Sequence, residues 1–130
     1  MAVSDIPTTI YIIDDDEAVR RALARVFRSV GFESQQFPST HEFMRAEIES
    51  NCACAVADLN IAGDEPTELP RRLEAENIDL PVIYVTADDS ERNRAWVQSV
   101  GGCGLFRKPV DDQALIDAIR WAIERHKPTH

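Results

Sequence analysis

Thr9-Ile10-Tyr11-Ile12-Ile13-Asp14-Asp15-Asp16-Glu17 is the stretch on which the reading of this chain turns. β-branched and aromatic residues run without polar alternation from 9 to 13, and the chain then changes abruptly to consecutive carboxylates. An apolar run of that kind is a strand covered on both faces, as in the interior of a parallel sheet. Charge where such a strand ends lies where an open α/β sheet keeps its ligands.

The same signature recurs downstream. Apolar runs at 53–57 and 82–85 end at Asp58 and Thr86, and a short run at 105–106 leads into Lys108-Pro109. Between them lie helical patterns. Val19, Ala22, Leu23, Val26, Phe27 and Val30 recur at three- and four-residue steps and are followed by Gly31 as a C-terminal cap. Residues 32–37 form a short, polar strand expected at a sheet edge. Ser39 with Glu42 makes a capping box ahead of a second helix that uses Phe43, Met44 and Ile48. A loop rich in Gly, Asp and Pro precedes a helix at about 68–76, whose Pro70 is tolerable in a first turn. Asp88, Asp89 or Ser90 can cap a fourth helix running to Val100, where Gly101 and Gly102 turn the chain. Asp111 caps a last helix with Leu115, Ile116, Ile119, Ala122 and Ile123 on one stripe.

Strands alternating with helices imply a flavodoxin-like, doubly wound parallel α/β sheet of five strands, with right-handed crossovers placing helices on both faces. The expected order is 2-1-3-4-5. Its switch point falls between strands one and three, which brings the ends bearing Asp14, Asp15 and Asp58 to one crevice.

With 130 residues, the chain is expected to form a single domain, 1–130, with its core at about 9–125. The formal charge of −9 argues against direct nucleic-acid binding, which needs clustered Lys and Arg. The three cysteines are odd in number, and Cys52 and Cys54 flank a single residue, which is neither a CxxC nor a zinc spacing, so the cysteines read as buried free thiols. No apolar run is long enough to span a bilayer, and a cytoplasmic location is the expectation.

Converging carboxylates need raised pKa values or a hard cation with oxygen ligands, and Mg²⁺ fits that donor set. A carboxylate beside such an ion can attack phosphorus. Lys108 would neutralise a phosphoryl oxygen, and the Thr86 hydroxyl would donate to another.

Taken together, Ile12-Ile13-Asp14-Asp15-Asp16-Glu17, Ala57-Asp58-Leu59, Pro81-Val82-Ile83-Tyr84-Val85-Thr86-Ala87 and Lys108-Pro109 resemble, in order, the motifs of the response-regulator receiver domain of two-component signalling. The resemblance covers nearly the whole chain. It implies a phosphorylation-controlled switch, with Asp58 accepting a phosphoryl group from a sensor histidine kinase or a histidine phosphotransfer protein. Asp14, Asp15, Asp58 and the backbone carbonyl of Asn60 would hold Mg²⁺, Lys108 and Thr86 would contact the phosphoryl group, and Pro109 would follow a cis peptide. The chain departs from the family pattern at Ile61-Ala62 and Pro66, after the phosphoacceptor, and at Leu105, where the family has an aromatic switch.

Two other functions fit some of the same residues. Asp14 and Asp16 form a D-x-D after an apolar strand, as in haloacid-dehalogenase-type phosphatases, with Asp14 as nucleophile and Asp16 as general acid. A receiver-like interaction module that is never phosphorylated is the other alternative. Trp121 lies off the apolar stripe of the last helix and is expected to be exposed. Together with Trp96 it marks a face of helix four, strand five and helix five for a second copy or an effector. His41, His126 and His130 are expected to be exposed and carry no role.

Overall fold

The computed structural model describes residues 7–126, so His130 lies outside the described residues. Elements alternate along the chain as β1 (Thr9–Ile13), α1 (Glu17–Ser29), β2 (Glu33–Phe37), α2 (Thr40–Met44), β3 (Ala53–Asp58), α3 (Glu68–Ala75), β4 (Val82–Thr86), α4 (Glu91–Ser99), β5 (Gly104–Arg107) and α5 (Asp112–Arg125). The five strands form one sheet in the order β2-β1-β3-β4-β5, and every pairing is parallel. The polar strand β2 takes an edge, as its sequence implies.

Alternation along each strand divides the core in two. Tyr11, Ile13, Ala55, Ala57, Val82 and Tyr84 face one layer with Phe43, Leu69, Leu73 and Val97 of α2, α3 and α4. Ile10, Ile12, Cys54, Val56, Ile83 and Val85 face the other, with Leu23 and Phe27 of α1 and Leu115, Ile119 and Ile123 of α5. β1, β3 and β4 therefore bury both of their faces, which explains their unbroken apolar runs.

The caps follow the local sequence. Asp16, Ser39, Ser90 and Asp111 accept backbone N–H groups at the starts of α1, α2, α4 and α5. Thr67 makes no side-chain bond at the start of α3. The end of α4 needs glycine twice, for different reasons. Gly101 has φ +77°, and at Gly102 a Cβ would lie 2.6 Å from Val97 Cγ1 and 3.1 Å from both the Val97 carbonyl oxygen and Tyr84.

The second helix is shorter than its sequence pattern implied. It stops at Met44, and Ile48 packs against the core from the following loop. The cause lies in the sheet: the Tyr11 hydroxyl accepts the Glu49 N–H at 2.7 Å and donates to the Glu49 carbonyl at 3.2 Å. A tertiary hydrogen bond captures backbone groups that a longer helix would have used. The thiols are free, but of the three expected to be buried Cys54 is, while Cys52 and Cys103 are half-buried. His41 is exposed, while His126 is half-buried and contacts Asp79, a departure from the expected exposure. No helix among the described residues is long and apolar enough to cross a membrane.

The close packing at Gly102 sets an expected outcome. Gly102→Ala should lower stability by about 1–3 kcal/mol through overpacking against Val97 and Tyr84, measured by urea unfolding. An unchanged midpoint would show that the α4–β5 turn yields freely.

Candidate functional site

Register decides the site. β1 and β3 run side by side with Ile13 opposite Ala57, so the next residues, Asp14 and Asp58, leave the sheet as neighbours. Asp14 is 1% exposed, because the Asp14 N–H still bonds to the Phe37 carbonyl at 3.0 Å and holds the residue inside the sheet. Asp15 is exposed at the rim, and its Oδ2 accepts the Ala62 N–H at 3.3 Å. One carboxylate oxygen from each of Asp14, Asp15 and Asp58 lies within 4.8 Å of the others. Three anionic oxygen donors at that spacing suit a small hard cation, so the residues present fit Mg²⁺.

Lys108 supplies the countercharge. Its Nζ donates to Asp14 Oδ2 at 3.0 Å and to Asp58 Oδ2 at 3.1 Å. The Lys108 N–H bonds to the Thr86 carbonyl at 2.8 Å, which fixes where the lysine leaves β5, and the Lys108-Pro109 peptide is cis. Arg20 of α1 donates to the Asp14 carbonyl at 2.6 Å and braces the acidic turn.

The electrostatics are those of a site built against solvation. Burial pushes the Asp14 carboxyl above its ordinary value, outweighing the Asp16 N–H and the Lys108 ammonium that favour its charged form. Burial alone would lower Lys108, but hydrogen bonds and charge from Asp14 and Asp58 more than offset it and hold its value up. Lys108 therefore stays charged through neutral pH.

Thr86 is present at the rim but is not free. It is 0% exposed, and its Oγ1 accepts the Asn60 side-chain amide at 2.8 Å and the Asp88 N–H at 3.1 Å while donating to the Asp88 carbonyl at 3.2 Å. The sequence reading of Asn60 considered only its backbone and missed this side-chain bond. An amide-bearing residue two positions after Asp58 was the one signal available. Arg20 and Asn93, which also brace the site, carried none.

The two tryptophans separate. Trp121 is 54% exposed, with the Arg125 guanidinium over its ring at 4.9 Å. Trp96 is instead half-buried against the core, edge-on to Tyr84 with ring centroids 5.5 Å apart. Expected to share an outer face with Trp121, Trp96 is used largely for packing. Leu105, opposite Tyr84 in the β4–β5 ladder, is half-buried against the same layer.

The raised Asp14 carboxyl has a sign that can be tested. Between the unfolded value near 3.8 and the higher folded one, the folded protein binds more protons, so this group's contribution to stability falls as pH rises through that window. In metal-free buffer at neutral pH, Asp14→Asn should therefore raise the melting temperature, by roughly 2–4 °C. A lower melting temperature would mean that the Lys108 bond outweighs the burial of the charge.

Comparison with known proteins accords with this geometry. The sequence pattern of the response regulator receiver domain matches residues 10–120. Nodulation protein W of Bradyrhizobium diazoefficiens is 30% identical over 118 residues, which is 91% of this chain and 52% of that protein. The transcriptional regulatory protein FixJ of Azorhizobium caulinodans is 31% identical over 116 residues, 89% of this chain and 55% of that protein. Full-length FixJ from B. japonicum superposes with a TM-score of 0.84 at 28% identity, covering 93% of this chain and 60% of that one. The chain thus spans about half the length of these curated relatives. By pattern, fold and relatives alike, the chain belongs to the response regulator receiver domain family of two-component systems.

Proposed function

We propose that this chain is a single receiver unit, with its core at about 9–125, that takes a phosphoryl group on Asp58 and works as a Mg²⁺-dependent signalling switch. The observation that carries the reading is the Lys108 ammonium shared between Asp14 and Asp58, within a cluster of three carboxylates at strand ends. In the proposed reaction a carboxylate oxygen of Asp58 forms the new O–P bond as the bond from phosphorus to an imidazole nitrogen of the partner's phosphohistidine breaks. The imidazole leaves with the electron pair of that bond. Asp14 and Asp15, with Asp58 and the backbone carbonyl of Asn60, would hold the ion, which when bound neutralises phosphoryl charge. Lys108 is a preorganised cation for a phosphoryl oxygen, and its two carboxylate bonds keep it aimed at the crevice before any donor arrives.

The donor would be a sensor histidine kinase or a histidine phosphotransfer protein. Trp121, on the exposed side of α5, is the candidate anchor for a second copy or an effector on the α4–β5–α5 face. The phosphatase reading is not favoured: the Asp16 carboxylate, which it needs as general acid, is occupied at 2.9 Å by the Ala18 N–H as the α1 cap. The non-phosphorylated interaction module remains the contrast that the experiment must separate.

Intact-mass analysis after incubation with acetyl phosphate and Mg²⁺ should show one added phosphoryl group in the wild type, none in Asp58→Asn, and loss of the adduct on chelation of the metal beforehand. No adduct in any form would sink the switch and leave the interaction module. Turnover that survives Asp58→Asn but not Asp14→Asn would reinstate the phosphatase. Lys108→Ala should still fold but take up the phosphoryl group about a hundredfold more slowly, followed as the rate of adduct formation.

A further inference from the structure

The hydroxyl of Thr86 has one proton and two acceptor positions, and all three are in use. The proton goes to the Asp88 carbonyl, while the Asn60 amide and the Asp88 N–H fill the acceptor positions. A hydroxyl bonded in this way has nothing to offer a group on Asp58 until it turns. The residue that bridges the two is Asn60: its backbone N–H donates to Asp58 Oδ1 at 2.9 Å, and its side chain donates to Thr86 Oγ1 at 2.8 Å. Chemistry at Asp58 is thereby felt one residue away from the bond that holds Thr86.

The far end of the network is equally defined. The Asp88 carbonyl that receives the Thr86 proton also accepts the Asn93 side-chain amide at 2.7 Å, and Asp88 Oδ1 accepts the Ser90 N–H at 3.1 Å. Ser90 and Asn93 belong to the first turn of α4, with the Ser90 hydroxyl accepting the Asn93 N–H. Helix α4 is anchored in the core near its C-terminal end, by the buried Val97 and the half-buried Trp96 and Val100. Its N-terminal turn is held by this chain of polar contacts.

We propose that the Asn60 side chain is a latch, a positioning residue that holds the Thr86 hydroxyl towards Asp88 in the resting protein and so ties α4 to the state of Asp58. This deepens the proposed phosphoacceptor reading and, as regulation, rests on it. The latch itself is a property of the unmodified chain. Asn60 is exposed apart from this contact, so removing its side chain leaves the core and the backbone N–H to Asp58 untouched.

The test is a double-mutant cycle read by amide hydrogen exchange at Asp88 in the unphosphorylated protein, with NMR detection. Asn60→Ala is expected to speed exchange of the Asp88 N–H about fivefold, the size of one net hydrogen bond. Thr86→Ala, which deletes the acceptor, should speed it at least as much, and adding Asn60→Ala to Thr86→Ala should change nothing further. A merely structural Asn60 would give additive effects. Unchanged exchange in Asn60→Ala, or additivity, would overturn the latch, even if acetyl phosphate labels Asp58 normally. Coupled exchange in a wild-type protein that never takes up phosphoryl would support the latch and overturn the switch instead.

Discussion

The in-register parallel ladder between β1 and β3 is the constraint from which the rest follows. With Ile13 opposite Ala57, the two central strands end at the same level, and whatever follows them must share one crevice. In an order that reverses at this pair, the crossovers leave on opposite faces of the sheet, which opens a crevice at the strand ends. Asp14 and Asp58 are therefore adjacent because of backbone geometry, not because their side chains attract. They repel, and the sheet overrides them.

The consequences of that override are visible around the site. Asp14 is held inside the sheet by its N–H bond to Phe37, loses water and is pushed towards its neutral form. Lys108 relieves the repulsion in part, bonding both carboxylates from the end of β5. The Lys108 ammonium shared by Asp14 and Asp58, with Asp15 beside them, leaves the three carboxylates net negative, a local conflict of the kind that folded proteins tolerate at functional positions and offset elsewhere. The offset here is large and apolar: both faces of the sheet are packed, with Phe27, Phe43, Leu115 and Ile119 fully buried beneath the helices.

Communication away from the site runs through polar contacts laid over this rigid base. Asp58, Asn60, Thr86, Asp88 and Asn93 form a continuous series of hydrogen bonds that ends on α4. On the inner side of that helix Trp96 packs edge-on against Tyr84, two residues before Thr86 on β4. Where Leu105 stands in place of an aromatic switch, the large aromatic in this region comes from α4 itself. Trp121, on α5, stays outside with Arg125 over its ring.

The sequence by itself determined the alternation of strands and helices, the edge position of β2 and the grouping of Asp14, Asp15, Asp58, Lys108 and Thr86 at strand ends. Each of these rests on local pattern: unbroken apolar runs, helical spacing, caps, and charges at the ends of runs. The resemblance read from those motifs led to the same family as the comparisons. What tertiary structure alone decided are matters of distance between segments far apart in the chain. The Tyr11 hydroxyl ends the second helix early by taking the backbone of Glu49, which no local preference announces. The packing of Trp96 on Tyr84 and the bond from Asn60 to Thr86 join β4 to α4 and to the loop after β3. Spacing along a chain reports which face a residue takes within its own element, but the partner it meets depends on how separate elements are set against one another, and that is fixed only when the sheet closes its register and the helices pack.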